Sequence, residues 1–235
     1  SSLIYFSLSV KKGLSSPIYF AVYDDLKDPL NYTIYFGQSG LGLPDRDYYL
    51  LDQPHYIKGR DKYPLHLKNL FNLAGIKDAD LKASNAFDVE KELAEIQISR
   101  TERRDPEKTY NPMNTKELSN LSDGKFSIWL ESLEIQYFNR YIIESPKYMS
   151  ALVKLIDEYP IDKWKDYLLA RLVKSASGSL SDDFVEESYR FSSILTGREE
   201  IPDLLKRSVG LVNGLLGDAL GKIYVKKHFP PEYKQ

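Results

Sequence analysis

Cysteine is absent from this 235-residue sequence. Its absence excludes disulfide bonds, thiolate metal sites and cysteine nucleophiles together. It does not identify the compartment, since many exported proteins also lack cysteine.

A basic charge balance is also missing, because the formal net charge is -2 at pH 7. No basic tract with interleaved aromatic residues occurs, so we expect no nucleic-acid partner. No uninterrupted apolar run approaches the roughly 20 residues that span a bilayer, and no membrane span is expected in this segment. The opening residues 1–10 are apolar, but they are short and lack the basic leader of a signal peptide.

The strand signals lie near the N-terminus. Residues 18–23 (IYFAVY) and 32–36 (YTIYF) are rich in β-branched and aromatic side chains, which favour strands. The polar residues 24–31 lie between them and include a proline. The pattern predicts a β-hairpin that packs one face against helices.

From Tyr56 onward the apolar spacing becomes helical. Pro64 predicts a kink or a restart in the first helix, which Gly75 closes. A second helix, capped by Asp78 or Asp80, runs towards residue 103. Later helices are predicted over about residues 116–121, 127–137, 146–160, 162–172, 181–197 and 202–227. The fold class is therefore mainly α: a multi-helix lobe with an N-terminal β-hairpin.

Residues 101–113 (TERRDPEKTYNPM) combine charges of both signs with two prolines. Arg103 and Arg104 lie where a helix C-terminus would leave carbonyl groups unpaired, and cations are favoured there. Tyr110 and its neighbours indicate a corner packed against another element. We interpret this stretch as a structural joint; a solvated, charged helix end is the alternative. Just beyond it, residues 114–117 resemble a capping box.

Four glycines recur at steps of four, three and four in the last helix: Gly210, Gly214, Gly217 and Gly221. Each costs about 1 kcal/mol of helix propensity relative to alanine. Lys206, Arg207, Asp218 and Lys222 exclude a membrane dimer seam. We therefore expect close packing within the chain at this stripe. If the packing partner is missing, the helix would expose an apolar face and favour self-association.

Chemical motifs are few. Gly37, Gly40 and Gly42 follow a strand, but their spacing fails the dinucleotide fingerprint, and a turn ending at Pro44 before a short helix is the better interpretation. No serine lies in a G-x-S-x-G elbow. The acidic pairs at residues 182–183, 186–187 and 199–200 are assigned to helix starts, where the dipole favours them.

The three histidines, His55, His66 and His228, include no H-E-x-x-H pair. His55 and His66 are three helical turns apart, too far for one metal. Each is better explained as a surface or packed residue. The residues themselves thus indicate a helical scaffold. We expect it to contain no catalytic residue, no cofactor-binding residue and no metal ligand.

Three stretches carry a resemblance: GLGLPDRDYY at residues 40–49, ERRDP with YNPM within residues 102–113, and ALGKIYVKKHF at residues 219–229. In this order and at these separations, they resemble the N-terminal half of the neprilysin-like zinc metalloendopeptidases, which include the bacterial PepO oligopeptidases. The resemblance covers nearly the whole chain. This sequence departs from the family pattern at Leu205 and Ser208, where many relatives have a tryptophan and a cysteine. The missing cysteine puts only the disulfide bond of those relatives in doubt.

The resemblance implies a two-lobed, mostly helical enzyme that hydrolyses short peptides in an enclosed chamber. In the family, two histidines and a downstream glutamate hold zinc, and all lie beyond residue 235. Residues 1–235 would then be the cap-lobe region, with 1–43 containing the hairpin and 44–235 helical, and the catalytic domain absent. The fragment alone is expected to bind no zinc and to be inactive.

The implied partners are the missing C-terminal catalytic domain and oligopeptide substrates. The implied location is extracytoplasmic, as a periplasmic, secreted or surface-anchored bacterial protein, with a cytoplasmic location as the alternative. A stand-alone helical peptide- or protein-binding module without enzymatic activity is the alternative function.

Overall fold

The computed structural model describes residues 2–135, 137–198 and 200–229. It divides into two compact units, Ser1–Gly197 and Arg198–Gln235. The larger unit contains, in chain order, α1 (Ser2–Lys11), β1 (Ile18–Asp25), β2 (Asp28–Gln38), α2 (Asp47–Leu50), α3 (Pro54–Leu73), α4 (Ala79–Ile96), α5 (Pro106–Thr109), β3 (Asn111–Met113), α6 (Thr115–Asn120), α7 (Lys125–Leu133), β4 (Tyr141–Ile143), α8 (Pro146–Glu158), α9 (Ile161–Ala176) and α10 (Asp182–Thr196). The smaller unit contains α11 (Leu204–His228). The mainly α fold class is confirmed.

The hairpin is confirmed, with longer strands and a tighter turn than predicted. β1 and β2 pair antiparallel from Ile18 opposite Gln38 to Asp25 opposite Asp28. Two further strands were not predicted: β4 pairs parallel with β2, and β3 pairs antiparallel with β4. The four-stranded sheet has the order β1-β2-β4-β3. Three-residue strands carry little periodicity, so their pairing depends on contacts far along the chain.

Several helix boundaries follow local capping chemistry. The capping box at Asn114 is present, with reciprocal bonds to Glu117. Ser145 accepts a hydrogen bond from the Tyr148 N–H and starts α8. Gly197 ends α10 in the left-handed conformation at φ 71°. Asp78 occupies the N-cap position of α4, but its side chain makes no capping bond.

The structure differs from the helix predictions at three places. Pro64 lies inside α3, which continues unbroken, so no restart occurs; the buried neighbours Tyr63 and Leu67 anchor the helix on both sides of it. α4 ends at Ile96, well before Arg103, which lies in a 3-10 turn instead. The opening residues, which carried no helix prediction, form α1.

The core of the larger unit consists of two hydrophobic clusters. The first surrounds the sheet: Phe36 lies 5.0 Å from Trp129 and 5.4 Å from Tyr141, measured between ring centroids. The second lies among α2, α3 and α10. α4 and α9 contribute side chains to both clusters, and the partly buried Leu41 contacts both.

The stretch at residues 101–113 contacts the sheet through its one aromatic residue, Tyr110. Tyr110 is buried and its hydroxyl donates to Asp25 Oδ1 at 2.5 Å. Arg140 lies 3.0 Å from the other oxygen of Asp25 and donates to the Tyr110 hydroxyl at 2.7 Å. The hairpin turn, the joint and the approach to β4 thus meet at one carboxylate. Burial tends to raise the pKa of Asp25, but the bonds from Tyr110 and the Lys27 N–H, with the Arg140 charge, lower it overall.

Replacement of Asp25 tests this joint. Because the folded pKa of Asp25 lies below its unfolded value of about 3.9, its stabilisation is complete above that pH and is lost as the pH falls through the folded pKa. Asp25→Asn should lower the free energy of unfolding by about 2 kcal/mol at pH 7. The difference in free energy of unfolding between the variant and wild type should become smaller below about pH 4. Urea unfolding at several pH values measures the loss at pH 7 and its dependence on pH.

Asp24→Asn is the matched control, because Asp24 is the exposed neighbour on the same strand. It should leave stability within about 0.5 kcal/mol of wild type. If the loss of unfolding free energy in Asp25→Asn stays constant down to pH 2.5, the pKa of Asp25 is not lowered in the folded protein.

Candidate functional site: a cleft beside the glycine loop

Residues 37–46, called here the glycine loop, connect β2 to α2. A Cβ atom at Gly37 would collide with Tyr19 and Glu144, and one at Gly42 with Tyr63 and Glu90. Gly40 adopts φ +94° and lies against Tyr167 and Pro17. These glycines therefore serve close packing and a left-handed turn. α2 starts three residues after Pro44.

A buried carboxylate fixes the loop from beneath. Glu90 of α4 is 0% exposed. One of its oxygens accepts from the Gly42 N–H at 2.9 Å and from the Tyr49 hydroxyl at 2.5 Å. The other accepts from Tyr63 at 3.0 Å and lies 3.8 Å from Arg171 Nη1. This cluster, called here the Glu90 network, joins the glycine loop to α2, α3, α4 and α9.

The protonation states in the Glu90 network follow from burial. Desolvation raises the pKa of Glu90, while the Arg171 charge and the donated hydrogen bonds oppose the rise. Desolvation and the Glu90 charge raise the pKa of Tyr49 and of Tyr63 well above the usual value. Both tyrosines therefore remain protonated donors at neutral pH, which is the state that the observed bonds require.

A cleft of about 530 Å³ opens between the glycine loop and the segment that follows α4. The Gln38 side-chain amide pairs with the Ile98 backbone through two bonds, of 2.9 Å and 2.8 Å. The Gln97 amide donates to the Ser39 carbonyl at 2.9 Å. These three side-chain-to-backbone bonds hold the glycine loop against the segment that follows α4. The cleft lies between two of the stretches that carry the family resemblance.

Three arginines line this cleft: Arg46, Arg100 and Arg103. Arg103 is held by Glu144, with its Nε 2.7 Å from the carboxylate. No described residue accepts a hydrogen bond from Arg100, and Nε of Arg46 is shielded from solvent without a partner among the described residues. Among the described residues, Asp45 is the one acidic residue that lines the cleft. The site can thus offer guanidinium donors to an acceptor-rich ligand.

Each histidine has surroundings of its own. His55 is exposed near the start of α3, and His228 is exposed at the end of α11, where its ring lies 4.7 Å from that of Tyr224. His66 is buried, stacks on Phe191 at 4.5 Å and lies 2.9 Å from Glu187. Within the described ranges, no group of three or more histidine, aspartate or glutamate side chains could hold a metal ion.

The acidic pairs divide between two roles. Asp182 and Asp183 lie in the first turn of α10, as predicted. Glu187 does not belong to a helix start: it is 5% exposed, accepts a hydrogen bond from Asn69, forms an ion pair with Arg190 and lies 2.9 Å from His66 Nδ1. The prediction that Glu187 lies at a helix start, stabilised by the helix dipole, was wrong. A buried carboxylate needs direct partners. Of the third pair, Glu199 lies outside the described residues.

Within the smaller unit, α11 has no buried residue. A Cβ atom at any of its four glycines would meet no atom within 4 Å. The expected close packing at this stripe needs a neighbouring element outside this unit, and it stays a prediction. Large apolar side chains are exposed too, among them Leu205 at 76%, Leu215 at 74% and Ile223 at 64%. The helix also departs from helical geometry at Leu216, where φ is -122°.

The model for peptidase family M13 matches residues 3–235. The chain belongs to this family. It is 28% identical over 221 residues to a neutral endopeptidase of Lactobacillus helveticus, covering 93% of this chain and 34% of that protein. It is 24% identical over 256 residues to human neprilysin, covering 97% of this chain and 33% of neprilysin. The resemblance to the N-terminal portion of neprilysin-like and PepO-like peptidases is confirmed.

Two solved structures share the fold. The zinc metalloprotease Zmp1 of Mycobacterium tuberculosis in its open state aligns with a TM-score of 0.90 at 29% identity, covering 99% of this chain and 37% of that chain. PepO from Lactobacillus rhamnosis aligns at 0.81 with 18% identity, covering 98% and 37%, which is evidence for the fold alone. The M13 chain spans about a third of the length of the curated relatives it matches. Among the described residues, no helix has the length and apolarity to cross a membrane.

Gly42→Ala tests the packing of the glycine loop. The added methyl group must displace Tyr63 or Glu90 inside the Glu90 network, which should lower the free energy of unfolding by about 2–3 kcal/mol. Thermal or urea unfolding measures this loss. Gly178→Ala is the control, since a Cβ there meets nothing within 4 Å. Equal stability of the two variants would show that the loop tolerates a side chain.

Proposed function

We propose that this chain is the non-catalytic N-terminal part of a zinc metalloendopeptidase that hydrolyses short peptides. Its helices wall the substrate chamber and limit the size of peptides that enter. The catalytic zinc and the groups that activate water belong to the C-terminal catalytic domain of the same protein. Membership of family M13 supports this assignment, as does coverage of about a third of the relatives' length.

The observation that carries the proposal is the arrangement of apolar and glycine residues on two faces of α11. Its apolar residues follow steps of four and three, the spacing of a helix-packing seam: Leu205, Val209, Val212, Leu216, Ala219 and Ile223. The glycine stripe lies on a different side of the helix and permits close backbone approach. A helix with these two faces is suited to burial between neighbouring elements. The catalytic domain is the partner that we assign to it.

The chain's own residues would then supply shape and binding surface. Zinc would provide the Lewis acid that activates water in the full-length enzyme, and the fragment itself is proposed to bind none. Oligopeptides are the proposed substrates. We propose an extracytoplasmic location, periplasmic, secreted or surface-anchored, with a cytoplasmic location as the alternative.

A stand-alone helical peptide- or protein-binding module is the second candidate function. The same exposed α11 supports it, because a seam of this kind also fits an external partner. The two candidates differ in one respect that can be examined directly. The coding sequence of the peptidase continues past residue 235 into an H-E-x-x-H helix, whereas that of the stand-alone module does not.

The proposal that zinc binding and catalysis belong to the C-terminal domain is tested by zinc analysis and by cleavage of a quenched fluorescent peptide. The 235-residue chain alone should hold no stoichiometric zinc by elemental analysis and should not cleave the peptide. The same chain joined to its downstream catalytic part should do both. Stoichiometric zinc with turnover in the 235-residue chain would contradict the proposal.

Docking of α11 is tested by charge insertion in the whole enzyme. Val212→Asp places a carboxylate on the apolar seam, where burial costs several kcal/mol, and should reduce stability and turnover together. Asn213→Asp adds the same charge to an adjacent exposed position outside the seam and should change neither. If both variants behave like wild type, α11 is not buried against the catalytic domain.

A further inference from the structure

The cleft beside the glycine loop has more hydrogen-bond donors than its acidic neighbours use. Glu144 accepts from Arg103 and from the Gln38 N–H. Glu102 accepts from the hydroxyl and the N–H of Ser99.

The third neighbouring carboxylate, Asp45, accepts from the Asp47 N–H. Each acid thus has partners of its own. The guanidinium groups of Arg46 and Arg100 have no acceptor among the described residues.

The two arginines differ in their exposure to solvent. Arg100 is exposed, as most unpaired surface arginines are. Arg46 is half-buried, and its Nε is shielded from solvent without a partner among the described residues. An unmatched buried donor is unfavourable. Arg46 also lines the cleft, so an acceptor that enters the cleft can bind the part of the guanidinium group that faces it.

The rest of the cleft lining defines what kind of acceptor fits. Leu41, Leu43 and Pro44 provide an apolar wall next to the arginines. The volume of about 530 Å³ is in the range of small-ligand pockets, roughly 300–1,000 Å³. A bare inorganic ion would use the arginines and leave the apolar wall uncovered. A short peptide that carries a carboxylate would use both.

We propose that this cleft is a binding site for the carboxylate of a short peptide, with Arg46 and Arg100 as its ligands. A guanidinium group presents two parallel N–H donors that match the two oxygens of a carboxylate. Arg103, fixed by Glu144, adds positive charge at the rim. The site consists wholly of residues of this chain, so it does not depend on the presence of a catalytic domain.

The carboxylate could be a peptide's C-terminus or an acidic side chain, and three peptides separate these sources. They are Leu-Ala-Leu-Ala with a free C-terminus, the same peptide amidated, and amidated Leu-Ala-Leu-Glu. Each is titrated into the full 235-residue chain by calorimetry at low salt. The free-acid or the glutamate peptide should bind, and the amidated Leu-Ala-Leu-Ala should bind at least tenfold more weakly.

Arginine variants locate the site. Arg100→Gln should weaken binding about tenfold, which corresponds to about 1.4 kcal/mol, and it removes no bond of the fold. Arg46→Gln combined with Arg100→Gln should abolish binding. Arg104→Gln is the control, because Arg104 is exposed and does not line the cleft. It should leave binding unchanged.

Three outcomes would overturn the proposal. The first is equal binding of the free-acid, glutamate and amidated peptides. The second is a loss with Arg104→Gln as large as that with Arg100→Gln. The third is binding of inorganic phosphate without binding of any carboxylate peptide, which would make the cleft a site for an adventitious ion only.

Discussion

The burial of Glu90 is the constraint on which the larger unit depends. A carboxylate with no exposed surface must receive hydrogen bonds or a neighbouring cation, since an unpaired buried charge would cost several kcal/mol. Its hydrogen-bond donors come from the glycine loop, α2 and α3, and Arg171 of α9 is the neighbouring cation at 3.8 Å. The loop can follow this path because Gly42 has no side chain at the point of closest approach. The network lies near Leu41, where the two hydrophobic clusters meet.

Sequence reasoning succeeded where the signal is local. The hairpin, the capping box at Asn114 and the glycine cap at residue 197 depend on residues within a few positions of one another. It failed where distant contacts decide. β4 has three residues and owes its strand conformation to β2, more than a hundred residues earlier. Pro64 reads locally as a break, yet packing on both sides of it keeps α3 continuous.

The candidate site shows the same division. The stretches at residues 40–49 and 102–113 could be recognised as a family resemblance, but no pattern indicated that they lie on either side of one cleft. Glu90 and Glu187 are indistinguishable from exposed helical glutamates in the sequence, because their donors come from other elements. The absence of an H-E-x-x-H motif, by contrast, is readable from the sequence alone.

Amide hydrogen exchange tests the central role of Glu90 most directly. In wild type, the N–H groups of Gly42 and Leu43 should exchange slowly, because they donate to Glu90 and Tyr49. Glu90→Gln should speed exchange at both amides and lower protection in α3 and α9 together. The exposed Glu95→Gln on the same helix should change none of these rates. If Glu90→Gln leaves the loop amides as protected as in wild type, the Glu90 network does not hold the glycine loop in place.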